Sequence, residues 1–507
     1  MRRVLPWLMV TLAPLGFFVV LQSVVLGWMG LPLQAALQAA PHWSDEVLYW
    51  HQAATFAQVG LEGGYYTFNE QPAAAAWSRF YSWGAFVPIT YGLIARLLGW
   101  PLAGIVLVNL AFYGLAMALY AAWVRPKPAQ ILPAMILLTL FLPLQLSWGA
   151  SMQETAHFAL AIALAGGFVV LLRRTRASDA LPLPRGLFLL MLGLIVLGSL
   201  WRPTWGIFSL PLFWLAWRPW RWDKAVLTAV LAIALTIGLA LLQDSSAAPY
   251  PSYRALYLET NQLGGLAGVL AYVVHSLGLL VDVRYGQAVA QRLQIGGILM
   301  VMAWAWLSGA RHRCWNDEAL FHLFNLGGVS LLILALHQVT SGHDYRVLAP
   351  HLLLSAMIWV GLQHRALIYA LSLSMILALP VTIEQFQLFA SNASGQAQRA
   401  VARWREPLAQ VMAYQPEANP WCNTLSVSGF YLRDFDGQTG LLLSVPPGLG
   451  ISLLQGLDKP AVPRAAHLLL TEADAQHYNL ADVPPLLTVP DGAIYANPLA
   501  DCQAPSN

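Results

Sequence analysis

Between residues 4 and 386 the chain is a succession of apolar runs, and nothing else in it constrains the fold so tightly. About eleven are long enough to consider as membrane crossings: 4–29, 102–123, 130–148, 153–172, 186–200, 205–217, 225–242, 293–309, 319–338, 347–361 and 366–386. An untilted helix needs about 20 apolar residues to cross a bilayer. Several runs are shorter, so their boundaries are approximate. Composition leaves one solvent for such a chain. Hydrophobic residues make up 58% of its 507 residues and charged residues 10%, against roughly 45–50% and 25% in soluble domains. Disordered, collagen-like and disulfide-scaffold classes are excluded. A net charge of +3, carried by scattered basic residues, gives no phosphate-tracking surface, so no nucleic-acid partner is expected. The expected fold is an α-helical polytopic membrane protein with about 11 transmembrane helices and a lipid bilayer as its first partner.

Charge sets the expected orientation. Arg2 and Arg3 precede the first run and place the N-terminus in the cytoplasm. A cleaved signal peptide competes, since Ala39 and Ala40 follow, but the apolar core from Val4 is too long for a usual signal sequence and reads as an uncleaved anchor. The alternate loops then hold fourteen of the 27 basic residues, among them Arg125, Lys127, Arg173, Arg174, Arg176, Arg185 and Arg365; the much longer outer loops before residue 387 hold seven. This is the positive-inside pattern, and it predicts a multi-pass protein of the inner (plasma) membrane. Counting Phe86–Trp100 as a crossing would move Arg125 and Lys127 outside. That segment is therefore expected as a juxtamembrane or re-entrant helix within a first outer loop of about 30–101, and 263–281 is treated alike.

Residues 387–507 differ in kind from the membrane region 1–386. They are polar and punctuated by proline, with short apolar runs at Leu441–Val445, His467–Thr471 and Leu486–Val489 that read as strands. Pro490-Asp491-Gly492-Ala493 is a hairpin signal. A small C-terminal extracytoplasmic α/β domain is expected. Cys422 and Cys502 both fall in it, which suits a disulfide in an oxidising compartment, while Cys314 lies in a loop assigned inside.

Ionisable groups are scarce in the crossings, so those at their outer ends stand out. Ser44-Asp45-Glu46-Val47-Leu48-Tyr49 opens a helix expected to run to about Gln58. Trp43, Val47, Trp50, Ala54, Ala57 and Leu61 form a stripe that could lie on the membrane surface, and Asp45, Tyr49, Gln52 and Phe56 form another face. Capping explains the acids equally well, with Ser44 as N-cap and Asp45 and Glu46 at the positive end of the helix dipole. Gln153, Glu154 and His157 begin a later crossing, where a carboxylate is costly unless paired or facing a cavity. Arg202 and Arg346, the latter after His343-Asp344-Tyr345, sit at further outer ends, where a lone arginine more often snorkels than binds a ligand. All these groups share one side of the membrane. No Walker loop, nucleophile elbow, His-Glu-x-x-His or paired Cys-x-x-Cys occurs, and the twelve histidines are dispersed. No metal site is expected.

In this order and on this side, the motifs resemble those of the GT-C superfamily, the integral membrane glycosyltransferases that use polyprenyl-phosphate sugars, including the protein O-mannosyltransferase and aminoarabinose transferase branch. Ser44-Asp45-Glu46-Val47-x-Tyr49 resembles their first-loop acidic motif, and Phe86–Gly92 leading to Gly99-Trp100 the segment closing that loop. Glu154 matches the second acidic position. Arg202-Pro203-Thr204 resembles an outer-end Arg/Lys-Pro-Thr element, and Tyr345-Arg346 with Pro350 a late segment in which Arg and Tyr usually stand in the other order.

The resemblance implies transfer of a sugar from a polyprenyl-phosphate donor to a glycan, lipid or protein acceptor, with inversion at C1 and no cofactor. It implies Asp45 as base with Glu46 as its nearest alternative, and Glu154 positioning acceptor or base. Arg346, His343 and Tyr345 fall in the phosphate-binding segment, with Arg202 as a further phosphate ligand and Tyr49 and His157 lining the site. The rival class is a secondary transporter or flippase for a lipid-linked or anionic substrate, which predicts internal repeats, broken helices and polar groups near the midplane.

Overall fold

The computed structural model describes residues 5–31, 41, 44–63, 66–71, 84–125, 127–176, 185–216, 222–247, 253–280, 317–336, 346–377, 379, 383, 396–416, 418–428, 438–454, 459–489 and 492–500. The run at 293–309, Trp43, His343 and Tyr345 lie outside these residues.

Among the described residues, five helices are long and apolar enough to cross a membrane: Pro6–Trp28, Gly104–Val124, Glu154–Arg176, Asp223–Ser245 and Asp317–Ala335. Six shorter apolar helices accompany them, including Pro128–Leu140, Arg185–Trp201, Ala349–Leu362 and Arg365–Leu377. The chain is thus a polytopic helical membrane protein, with five full-length spans described where the sequence suggested about eleven. Proline accounts for part of the difference. The run 130–148 breaks into Pro128–Leu140 and Leu142–Ser147 at Phe141-Leu142-Pro143. The run 205–217 starts as a 3₁₀ turn, Pro203–Phe208, before Ser209–Ala216; Pro203 opens that turn, where its missing N–H costs nothing.

Glu154–Arg176 is the axis of the bundle. It is buried along almost its entire length and packs between Gly104–Val124 and Ala349–Leu362. Small residues make this possible, since in lipid helices associate by close packing rather than by escaping water. A Cβ on Gly361 would stand 2.4 Å from Val169 Cγ2. The end of the helix that carries Arg176 is tied by polar contacts: Arg173 donates to Val124 O and Gly361 O at 2.7 Å, and Glu318 pairs with Arg176 and with His364 Nε2 at 2.8 Å. On the periphery, Asp223–Ser245 exposes Val226, Leu227, Val230, Ile233, Ile237 and Leu241, a surface suited to acyl chains rather than water.

At the other end sits a six-stranded sheet, ordered β1-β3-β2-β4-β6-β5, with β1 at Tyr66–Phe68, β2 at Thr424–Ser428, β3 at Gly450–Leu454, β4 at His467–Leu470, β5 at Leu487–Val489 and β6 at Gly492–Ala496. β1, β3, β2 and β4 are parallel, whereas β4–β6 and β5–β6 are antiparallel. The β5–β6 pairing Val489↔Gly492 closes where the hairpin signal falls. β2 and β3 are buried at every position and show no alternation, as expected of strands covered on both faces. Leu441–Val445 is not a strand: the chain forms the helix Gln438–Leu443 and then turns. A short apolar run is compatible with either state, and Gly440 lets this one lie against Ala400 of the helix Gln396–Val411.

β1 belongs to the first loop, yet it pairs in register with β3, Tyr66↔Ile451 to Phe68↔Leu453. The same loop supplies the helix Ser44–Val59. Of its stripe, Val47, Trp50 and Ala54 are buried in one apolar cluster with Val401, Trp404, Leu408 and Ile451, while Leu61 stays exposed, so most of the stripe is covered by the C-terminal region. Phe86–Leu98 packs along this helix, with Gly92 so close to Phe56 that a Cβ would meet its ring at 2.6 Å. Cys422 is disulfide-bonded; Cys502, its expected partner, lies outside the described residues.

Candidate active site

The sheet-side end of the bundle gathers four charged groups from four distant segments. Asp45 stands in the first turn of Ser44–Val59 and Glu154 in the first turn of Glu154–Arg176. Arg202 follows Arg185–Trp201, and Arg346 precedes Ala349–Leu362. Arg346 lies between the two acids, with Nη2 3.3 Å from Asp45 Oδ2 and Nε 3.7 Å from Glu154 Oε1. Arg202 Nη2 stands 3.7 Å from the same Glu154 oxygen. Asp45 and Arg346 keep side-chain exposures of 27% and 33%, whereas Glu154 and Arg202 keep only 8% and 12%. The cluster therefore runs from an open rim to a closed floor.

Its separations are informative. At 3.7 Å neither arginine makes a close hydrogen bond to Glu154. Glu154 Oε2, Arg202 Nη1 and His157 Nε2 have no hydrogen-bond partner among the described residues. Buried polar atoms left in this state are costly.

Local structure explains the placement. The turn before Glu154 is held from two sides. Asn109, from Gly104–Val124, donates to Met152 O at 2.7 Å and accepts from Tyr91 OH at 2.6 Å, while Ser151 N donates to Glu46 Oε1 at 2.8 Å. Glu46 is fully buried in this contact. Of the two neighbouring acids, Glu46 anchors the two helix starts to each other and Asp45 faces the arginine. Tyr49, one turn on, accepts from Gln153 Nε2 at 2.9 Å. Burial, then Asp45 and Glu154, push its phenol well above the ordinary range, against the opposing pull of Arg346 and Arg202. It remains a neutral donor.

The floor is aromatic. Trp205, three residues after Arg202 in the 3₁₀ turn, donates from Nε1 to His157 Nδ1 at 3.1 Å. Its ring stacks on His351 with centroids 4.6 Å apart. Sequence reading missed Asn109, Trp205 and His351; for Asn109 and His351 the available signal was a polar residue inside an apolar run. Below the floor, polar groups continue into the bundle: His351 meets Asn325 in a π-helical turn, Leu323–Val329, and Asn325 and His322 both bond Ser355 Oγ, at 2.8 and 2.9 Å.

The structure thus brings together Asp45, Glu154, Arg202, Arg346, Tyr49 and His157, places Glu46 beside them in a packing contact, and does not describe His343 or Tyr345. Among the described residues no group of three His, Cys, Asp or Glu side chains is placed to hold a metal ion. Chemically, the cluster offers an accessible carboxylate beside a guanidinium, over a second carboxylate and a buried second guanidinium. Such a set can take up a proton and a phosphate-like anion side by side.

No family model matches the sequence, and no characterised protein matches it at the sequence level. Solved structures do. The chain is similar to ArnT from Cupriavidus metallidurans bound to undecaprenyl phosphate, with 13% identity over 96% of this chain and 99% of that one and a TM-score of 0.48. It is similar to the apo state of the same protein at 12% identity, 93% and 97% coverage and a TM-score of 0.41. It is also similar to an oligosaccharyltransferase from Archaeoglobus fulgidus tethered with an acceptor peptide, at 12% identity, 93% and 70% coverage and a TM-score of 0.46. Both relatives are GT-C glycosyltransferases. At these identities no role passes from either to an individual residue of this chain.

Proposed function

We propose that this protein is a glycosyltransferase of the plasma membrane that moves a sugar from a polyprenyl-phosphate donor to an acceptor on the extracytoplasmic side, where the sheet lies. The observation that carries the reading is Arg346 set between Asp45 and Glu154, with Arg202 on the buried side. A glycosyl phosphate needs two things at once: a cationic site for the leaving phosphate and a base for the acceptor's proton. A phosphate is already a weak base, so it needs charge stabilisation more than protonation, and arginine supplies that bidentately.

In the step we propose, the acceptor hydroxyl or amine attacks C1. The new C1–O or C1–N bond forms as the C1–O bond to phosphate breaks, with inversion. The acceptor proton goes to Asp45, and the bond electrons leave with the polyprenyl phosphate, whose charge Arg346 and Arg202 receive. A donor phosphate competing for Arg346 draws it from Asp45, and a carboxylate released from that contact accepts a proton more readily. Glu154, whose Oε2 is left unbonded among the described residues, positions the acceptor or the base. Tyr49, locked by Gln153, presents its hydroxyl to the site.

A transporter is the second reading, favoured by the polar groups inside the bundle and by the π-helical turn at Asn325, features such a protein would place near its midplane. One experiment separates the two. Lipid-linked sugars accumulating in a deletion strain identify the donor, and the purified full chain is then given that donor and a cell-envelope acceptor fraction. Transfer in detergent, where no compartments exist, supports the enzyme. Absence of transfer together with donor translocation in vesicles supports the transporter.

A further inference from the structure

A second site lies away from the charged cluster. Trp50 is five residues beyond Asp45 on the same helix, hence about 140° around its axis, and it forms one wall of a cavity of about 490 Å³. Cavities of roughly 300–1,000 Å³ hold small-molecule ligands. Trp100, Pro101 and Leu102 continue the wall, and Arg405 and Glu406 of Gln396–Val411 face it.

Both indoles are fixed. Trp50 Nε1 donates to Pro101 O at 2.9 Å, and Trp100 Nε1 donates to Trp50 O at 3.0 Å. Trp100 also lies so close beneath Gly104 that a Cβ there would come within 2.7 Å of the ring. Both rings are thereby fixed in place at the cavity wall, Trp50 being largely buried.

The cavity stands where a membrane surface should be. The Gly104–Val124 span starts two residues after Leu102. On the other flank, Leu97 and Leu98 end the Phe86–Leu98 helix with exposures of 82% and 81%. Two such leucines belong in acyl chains, and tryptophan belongs at the boundary between acyl chains and water. The facing helix brings both signs of charge to this boundary, from adjacent exposed residues.

We propose that this cavity binds the headgroup of a zwitterionic phospholipid bearing a primary ammonium, with Arg405 taking the phosphate and Glu406 the ammonium. An anionic lipid would meet Arg405 favourably and Glu406 unfavourably. A quaternary ammonium carries the same charge as a primary one but has no N–H to give the carboxylate. The pair therefore selects a primary-ammonium headgroup, and Trp100 and Leu102 receive its apolar stem. The site uses none of the residues assigned to sugar transfer and stands whether or not that reading does.

Native mass spectrometry of the purified full chain, titrated with phosphatidylethanolamine, phosphatidylglycerol or phosphatidylcholine, tests this. Phosphatidylethanolamine should bind most tightly. Arg405→Gln should weaken its binding about fivefold, the loss expected for one interfacial arginine. Glu406→Gln should remove the preference over phosphatidylglycerol. Arg399→Gln, an exposed position on the same helix outside the cavity, should change neither. The proposal is overturned by equal binding of the three lipids, by an unchanged preference in Glu406→Gln, or by an effect of Arg399→Gln as large as that of Arg405→Gln.

Discussion

Two buried glutamates, one in the turn after β1 and one at the head of the central helix, share nearly the same exposure and behave in opposite ways. Glu70, just past β1, is 5% exposed. It accepts from Ser426 Oγ and Arg464 N at 2.6 Å and from Ala465 N at 3.1 Å. Among the described residues, the donors that reach it come from the C-terminal region, so this one carboxylate fastens the first loop to the sheet. Glu154 is 6% exposed, yet its nearest cations stand at 3.7 Å and its Oε2 has no partner among the described residues. A satisfied buried carboxylate is a fastener. An underfilled one beside two guanidiniums leaves desolvated charges whose bonds the fold does not complete, and the proposed site rests on that arrangement.

The contrast breaks most sharply at the charged cluster. Asp45→Asn should leave the helix start intact, since Asp45 stands inside the first turn and the exchange removes only its charge from the positive end of the helix, a change of about 1 kcal/mol or less. Transfer should fall by about 10²–10⁴-fold. A folded Asp45→Asn protein turning over at the unaltered rate removes Asp45 as base; inactivity of Glu46→Gln with unchanged stability would move the role there.

Glu70→Ala is the converse test. It strands two backbone N–H groups and a serine hydroxyl in a buried place, for an expected loss of about 4 kcal/mol from the sheet region. Activity per folded molecule should change little. Thermal unfolding and limited proteolysis between β1 and β3 read the first, and turnover normalised to folded protein reads the second. A stable but inactive Glu70→Ala protein would contradict the division between fastener and site.

A third test uses pH. His51, buried under the tail with Nε2 donating to Val445 O at 3.1 Å, is held by burial at about 4, below its usual 6.5. The unfolded chain takes up this proton first as pH falls, so the contribution is whole above about pH 6.5 and is lost progressively down to about pH 4. A shift of that size corresponds to about 3 kcal/mol. His51→Gln should flatten this part of the stability profile, and an unchanged slope between pH 7 and 4 refutes the assignment. Smallest is Tyr49→Phe, which deletes one hydrogen bond to Gln153 and should lower turnover by only about fivefold, in line with about 1 kcal/mol. A loss as large as that of Asp45→Asn would make the phenol a direct participant.

What was legible from sequence follows from interactions that need few partners. Apolar runs must avoid water wherever they lie, so the membrane class and the positions of Pro6–Trp28, Gly104–Val124 and Glu154–Arg176 could be read directly. The acids at 45 and 154 and the arginines at 202 and 346 stood out because a charge at the end of an apolar run needs a reason. Their separate explanations, capping and snorkelling, were each sufficient locally. Only the tertiary structure put Arg346 between two carboxylates that lie 109 residues apart in sequence, since convergence depends on how helices pack and not on what each contains. The same holds for β1, three residues of the first loop completing a sheet made from the tail, and for Leu441–Leu443, whose helical state was decided by the surface it met. Hydrophobicity, a property of single residues, determined that this chain belongs in a bilayer; pairing, a property of residues brought together, decided which of its buried acids fasten the fold and which stand open.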